Sequence, residues 1–413
     1  MTTKLRAPDD DVWASRRRHP TAKPVAPARR SRTFGGILAV LLALNGIGLV
    51  MVLSASSVSA LDDYGSSWYV AMRQLMWLTV GSIAAFAVMR VDYHRWRRLS
   101  PLLLMVSIVL LCLVLVPGVG VSVNGATRWL GYGPLSLQPS ELAKLTVLLF
   151  VADLLARRAV WMGDLRVTLV PVGVVFGGMA VLLMLQPNLG TTLVLGSIVL
   201  SLLFVAGTPL LPLTGIGIAG ALAATALALW EPYRRARVTA FLDPWKDYQN
   251  TGYQNIQSLV GIASGGITGK GLGASRAKWG FLPYAHTDFI FAIIAEELGL
   301  IGALVVVGLF VALAILGARA ARFAPDRFGM LLATGITVWF SVQAFVNIGA
   351  VIGILPITGV PLPFVSYGGS SLVFSLIGAG LLLNVARQAQ PPTPRRRPAR
   401  PAPASRRGAP SSR

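Results

Sequence analysis

Charge is scarce in this sequence. Only 13% of its 413 residues are charged, 16 acidic against 37 basic. A soluble globular chain is usually about a quarter charged, so the composition argues against that class. There is a single cysteine, Cys112, inside an apolar run. It cannot close an internal disulfide and leaves the redox compartment open. No ligand cluster for a metal is evident. Internal repeats, heptad runs and a separate soluble domain are also missing. The formal net charge of +21 sits mostly in tails and loops. It does not indicate nucleic acid; inner-leaflet lipid and topology account for it better.

What is present is apolar: 54% of residues, in repeated runs of about 20. The expected fold is an all-α polytopic membrane protein with about ten transmembrane helices. The spans fall at 34–55, 69–89, 101–118, 139–156, 167–185, 189–206, 210–230, 289–317, 328–350 and 366–386. Residues 1–33 form a basic tail and 387–413 an Arg/Pro-rich tail, both with the composition of disordered segments. A cleaved signal peptide is not expected, because the basic N-region is long and the first apolar run is spanning length. Short loops carry Arg90, Arg95, Arg97 and Arg98, then Arg157, Arg158 and Arg166, then Arg319, Arg322 and Arg327. All share a side with the two tails. The positive-inside rule therefore puts both termini in the cytoplasm. The large loop 231–288, between spans 7 and 8, is then extracytoplasmic. It breaks the pattern with Arg234, Arg235, Arg237, Lys246, Lys270, Arg276 and Lys278. An anionic ligand such as a phosphate would explain those cations, and so would anionic lipid.

Several polar segments interrupt the apolar runs. Asn124-Gly-Ala-Thr-Arg128-Trp129 offers one base that could hold a phosphate, or an aromatic belt with an exposed arginine. Gln138-Pro-Ser-Glu141-Leu-Ala-Lys144 opens a span; capping explains Glu141, while Lys144 lies inside the helix and needs a carboxylate. Glu296 or Glu297 could supply it, with Gln343 and Asn347 as further polar neighbours. Gln186-Pro-Asn188-Leu-Gly190 reads as a tight turn. The segment Gly265-Gly266 to Gly269-Lys270-Gly-Leu-Gly273 is neither a dinucleotide fingerprint nor a P-loop, yet its amides could cradle phosphate. In Gly359–Ser371, Ser366 and Tyr367 could face a cavity, although a structural re-entrant segment fits the prolines. Asp288, beside His286, is either a helix cap with Thr287 or a general base near an anionic leaving group.

The segments NGATRWL, QPSELAKL, QPNLGTT, GYQNIQSL, GGITGKGLG, LPYAHTDFIFAIIAEELG and PLPFVSYGGSS occur here in this order. Together they resemble the SEDS family (shape, elongation, division and sporulation; the FtsW/RodA proteins) over about residues 34–386. The basic tails and VMVLSASS favour the division type, and the Arg/Ala/Pro-rich composition an actinobacterial one. The resemblance implies a ten-span peptidoglycan glycosyltransferase at the outer face of the cytoplasmic membrane, working at the division septum. Its substrate would be lipid II and its by-product undecaprenyl pyrophosphate. Its partners would be a class B penicillin-binding protein and other division-machinery proteins, besides membrane lipid. The essential aspartate of the HTDF segment maps onto Asp288. The family usually has Asp where Asn188 stands, so Asn188 is given no acid–base or metal role.

The expected site is therefore Asp288 as the catalytic base. Arg128, Trp129, Lys270, Lys278, His286, Ser366 and Tyr367 would bind substrate. Glu141, Lys144, Glu296 and Glu297 would form a structural polar network. No cofactor is evident, and a divalent cation is a candidate to share the pyrophosphate charge. A lipid II flippase, an elongation-type polymerase and a division scaffold are the rival readings. A flippase predicts a polar cavity that crosses the membrane.

Overall fold

A computed structural model describes residues 32–389, apart from 124–125, 133–134, 162 and 251. Nearly all of both expected tails, and Asn124, lie outside the described residues. Among the described residues, nine helices are long and apolar enough to cross a membrane. They are α1 (Arg32–Tyr64), α2 (Tyr69–Arg90), α3 (Tyr93–Leu115), α5 (Leu165–Leu185), α6 (Leu189–Ala206), α7 (Leu210–Trp230), α10 (Ile290–Arg322), α11 (Arg327–Val351) and α12 (Gly369–Gln388). The tenth expected span is α4 (Pro139–Arg157), a helix of 19 residues. At 1.5 Å per residue it is about 28 Å long, close to the hydrocarbon thickness. Glu141, Lys144 and Asp153 lower its apolarity, but all three are buried inside the bundle.

Local chemistry sets the ends of these helices. Pro139 begins α4 at the position where its missing N–H is harmless. Gly207, at φ 93°, closes α6 in the left-handed region, and α7 follows Pro209. The helices α4, α6, α11 and α12 form the interior. By contrast α7 buries only Leu213 and lies at the margin. The first helix is longer than expected: α1 continues to Tyr64, with Ala55, Ser56 and Ala60 buried and its last turn exposed.

Two features depart from the expected all-helical pattern. The segment between α3 and α4 folds as a three-stranded antiparallel sheet: β1 (Gly120–Val123), β2 (Ala126–Tyr132) and β3 (Leu135–Leu137). Val121 pairs with Trp129 and Leu130 with Leu137, with a bulge between Val121 and Ser122. The strands β1 and β3 are short, and β2, at seven residues, does not alternate, since Trp129 and Leu130 are adjacent. The large segment 231–288 is likewise not an open loop. It contains α8 (Pro232–Leu242), a 3₁₀ turn at Pro244–Asp247, α9 (Tyr253–Gly265) and a helical turn at Ala277–Phe281.

Successive spans alternate in direction, so their ends gather on two faces. Arg128 meets residues 186–187 and Asn347 meets Asp288 on one face. On the other, Arg97 meets Asp153 and Arg327 meets Ala206. The segment 357–367 dips into the first face. A Cβ on Gly48 would come within 2.5 Å of Phe364 O, so only glycine admits this approach.

Candidate functional site

A cavity of about 560 Å3 opens at the first face. Its walls have different origins. The sheet supplies Arg128 and Trp129, α2 supplies Arg73 and Trp77, α8 supplies Arg234 and Arg237, and α9 supplies Gln254. Tyr284, Thr287 and Asp288 precede α10, and Gly359, Pro361 and Tyr367 belong to the dipping segment. Four arginines face two carboxylates, Asp288 and Glu231. The field in this cavity suits an anionic ligand.

Asp288, one of the expected caps with Thr287, lies one residue before the N-cap of α10. Phe289 occupies the N-cap position of α10, and no side-chain cap bond is made there. Asn347 Nδ2 donates to the Asp288 carbonyl at 2.8 Å and to the Val360 carbonyl at 2.9 Å. This amide ties the aspartate to the dipping segment. Gly359, at φ 71°, lies between the acidic and basic groups. A Cβ there would be 3.6 Å from Asp288 Oδ2 and 4.0 Å from Arg237 Nη1. Burial pushes the Asp288 carboxyl up to about 6, against the opposing pull of Arg237 and Arg128.

The arginines are held by backbone oxygens. Arg128 donates through Nε to Gln186 O at 3.0 Å and through Nη2 to Pro187 O at 2.5 Å. Arg237 Nη1 donates to Ile357 O at 3.3 Å. Non-glycine residues with positive φ gather here as well: Tyr284 lines the cavity and Phe364 lies in the dipping segment. Such strain concentrates at functional sites.

Tyr367 lines the cavity, and burial pushes its phenol up, so it stays a protonated donor. His286 and Ser366 stand behind it. The His286 ring meets the Tyr367 ring edge-on at 5.7 Å, and His286 O accepts from Tyr367 N. Burial holds the His286 imidazole below its usual range, and nearby Asp63 opposes that. Ser366 is buried, its Oγ accepting from Leu362 N at 2.8 Å. These two residues brace the wall and do not line it.

Lys270 and Lys278 are not in the cavity lining. Lys270 Nζ pairs with Glu296 at 2.7 Å; Lys278 Nζ donates to Gly273 O at 2.6 Å and lies 3.8 Å from Glu297. The expected pairing of Lys144 with Glu296 or Glu297 is thereby corrected. Lys144 Nζ meets Glu141 at 2.8 Å and Gln343 Oε1 at 2.8 Å, over the Trp339 ring. Ser371, which lines the cavity, donates to Glu141 Oε2 at 2.9 Å. The Lys144–Glu141 pair therefore lies just behind the cavity wall. Gln343 and Asn347 serve Lys144 and Asp288 rather than the two glutamates.

Asn188 caps α6: its Oδ1 accepts from Thr191 N and its Nδ2 donates to Ser140. An aspartate would cap equally well and could accept from the Ser140 hydroxyl instead; the structure gives no reason for an amide here. Gly190 is not part of a turn. It lies in the first turn of α6, where a Cβ would come within 2.7 Å of Val360. Sequence reasoning missed Arg73, although an arginine inside an apolar run is itself a functional signal. Arg237 was visible only as one of seven cations in the large loop. Among the described residues, no group of three or more His, Cys, Asp or Glu could hold a metal ion. A divalent ion at this site would rest mainly on substrate phosphates.

The family model for the FtsW/RodA/SpoVE cell cycle proteins matches residues 36–391. Stage V sporulation protein E of Bacillus subtilis is 44% identical over 352 residues, 85% of this chain and 96% of that protein. A probable peptidoglycan glycosyltransferase FtsW from Thioalkalivibrio sulfidiphilus is 46% identical over 361 residues, 86% of this chain and 89% of that protein. Among solved structures, a chain of a peptidoglycan synthase complex described as coordinating polymerization and crosslinking superposes with a TM-score of 0.71. It is 34% identical and covers 86% of this chain and 97% of its own.

Proposed function

The chain belongs to the FtsW/RodA/SpoVE family of cell cycle proteins and is a peptidoglycan glycosyltransferase; from that premise we propose that it polymerises lipid II with Asp288 as general base. One observation carries this reading. Asp288 lies one residue before the N-cap of α10, and its carboxylate faces Arg237 across Gly359 in a cavity with four arginines.

In the proposed step Asp288 takes the proton of the GlcNAc 4-hydroxyl of an incoming unit. The oxygen forms a bond to the anomeric carbon of the MurNAc at the lipid-linked end of the growing strand. The bond from that carbon to the pyrophosphate oxygen breaks, and the electron pair leaves with undecaprenyl pyrophosphate. Inversion gives a β-1,4 link. Arg128 and Arg237, whose guanidiniums are fixed by backbone carbonyls, face the charge that develops on the leaving group. A carboxyl with its pKa near 6 is mostly ionised at neutral pH and still basic enough to accept a proton.

The cavity face is the outer one in this reading. The arginines of the short loops, among them Arg97, Arg157 and Arg327, end on the opposite face and support a cytoplasmic assignment there. The two large cavities differ in a way that favours polymerisation over transport. The polar one lies at the Asp288 face, while the one between α1, α2 and α12 is almost wholly apolar. A crosslinking transpeptidase is the proposed partner, in line with the synthase complex that this chain resembles, and the division septum is the proposed site of action. Polymerisation of purified lipid II, with Asp288→Asn beside the wild type, tests the assignment. Glycan strands from the wild type and none from the variant are expected. Equal turnover by the variant would remove Asp288 from the chemistry.

A further inference from the structure

The helix that follows Asp288 is broken. Gly299, at φ 68° and ψ −167°, divides α10 into a short buried piece, 290–298, and a long one, 300–322. A break at this depth leaves carbonyls on one side and amides on the other without helical partners. The segment 266–271 satisfies them from outside the helix. Lys270 N donates to Glu296 O, Gly271 N to Glu297 O, Leu300 N to Gly266 O and Ile301 N to Ile267 O, all at 2.9–3.2 Å. The fit admits no side chain. A Cβ on Gly269 would lie 2.2 Å from Glu297 O, and one on Gly299 would lie 2.3 Å from Gly269 N.

The two glutamate side chains complete the seal. Glu296 accepts from Lys270 Nζ at 2.7 Å, Ser275 Oγ at 2.5 Å, and the amides of Arg276 and Ala277. Glu297 accepts from the Ser275 amide at 3.3 Å. It also accepts from Ser54 Oγ of α1 at 2.7 and 2.8 Å. The short piece is thus held at one end by Asn347, through the Asp288 carbonyl, and at the other by this carboxylate hub.

We propose that Glu296 and Glu297 are positioning residues for Asp288, and that α1 sets the register of the short helix through the Ser54–Glu297 bond. This rests on the reading of Asp288 as the base. A rigid piece of nine residues transmits a displacement at one end to the other, because its side chains are buried among close-packed neighbours. The hub lies outside the cavity lining, so loosening it alters where Asp288 stands without altering what the cavity binds.

The test uses the full-length protein in lipid nanodiscs with lipid II as substrate. Glu297→Ala, Lys270→Ala, Ser54→Ala and Ser54→Thr are compared with the wild type and Asp288→Asn. The expected result is a loss of kcat of about a hundredfold for Glu297→Ala and about tenfold for Ser54→Ala and Lys270→Ala. KM for lipid II stays within about twofold, the acid midpoint of kcat shifts, and Ser54→Thr restores turnover. Melting temperatures, read in parallel, separate this from simple unfolding. Wild-type kcat and an unmoved midpoint in the three alanine variants would overturn the proposal, and so would losses that merely follow the folded fraction. If Asp288→Asn polymerises normally, the base assignment itself fails; if Asp288→Asn is inactive while the hub variants are normal, only the hub proposal fails.

Discussion

The two ends of the bundle use carboxylates differently. At the arginine-rich end, Asp92, Asp164 and Asp326 each cap a helix by accepting backbone N–H bonds. Asp153 there takes Arg97 at 2.5 Å and Arg157 at 2.8 Å. Asp326 also accepts from Tyr93 and lies 3.5 Å from His94. At the cavity end, α2, α4, α9, α10 and α12 begin without a side-chain cap bond, and only α6 has one, from Asn188. Asp288 lies one residue before the N-cap of α10, which is Phe289, and so falls outside the capping role. The same side chain is a stability device at one end and, in the proposed function, a reactive group at the other. What separates them is whether the backbone amides of the helix start claim the carboxylate.

Substitutions at each end should therefore give different losses, and the largest lies just behind the cavity wall. Lys144→Met removes one partner of a buried ion pair and leaves Glu141 charged. A loss of about 3–5 kcal/mol is expected, and with it most of the folded protein, measured by yield and thermal unfolding in detergent. Gly359→Ala should be milder for folding but severe for turnover. The Cβ itself would meet Asp288 Oδ2 at 3.6 Å, an ordinary contact, but φ 71° strains an alanine, and the backbone shift that relieves the strain beside Asp288 costs about a hundredfold in rate. An equal rate in the alanine variant would show that Asp288 and Arg237 need no such closeness.

The smallest effect is the pH response of the wild type. Asp288 must be ionised to act, so turnover should fall as pH drops through about 6 and level off above it. The linkage to stability runs the other way. A carboxyl whose pKa is higher in the folded state than its usual value near about 3.9 binds more protons when folded over that window. Its contribution to stability therefore declines as pH rises from about 4 to about 6, and stays flat above. Removing the charge by Asp288→Asn should leave the melting temperature at neutral pH equal or higher.

Much of this arrangement was legible in the sequence because membranes impose strong rules. Apolar runs gave the spans, and the scarcity of acidic residues drew attention to Asp288, Glu296, Glu297 and Glu141. Partner choice was not legible. Lys144 and Glu296 looked complementary along the chain, yet Glu141 lies three residues from Lys144 on the same helix face and reaches it first. Lys270 and Lys278 resembled substrate cations until the glycine-rich segment folded back onto the break at Gly299, where both lysines meet glutamates. That fold-back depends on close approach between glycines distant in sequence, which no local pattern reveals. The sheet carrying Arg128 gave no strand signal because β1 and β3 are short and the seven residues of β2 do not alternate apolar with polar.

The most direct measurement pairs one aspartate from each end. Lipid II turnover per folded molecule and melting temperature are determined for Asp288→Asn and Asp326→Ala beside the wild type. Asp288→Asn should lose turnover by about a hundredfold or more and keep its melting temperature. Asp326→Ala should keep turnover and lose about 2–4 kcal/mol of stability, with its cap and its hydrogen bond from the buried Tyr93 hydroxyl. Retained turnover in Asp288→Asn, or parallel losses of turnover and stability in both variants, would contradict the division of labour between the two ends.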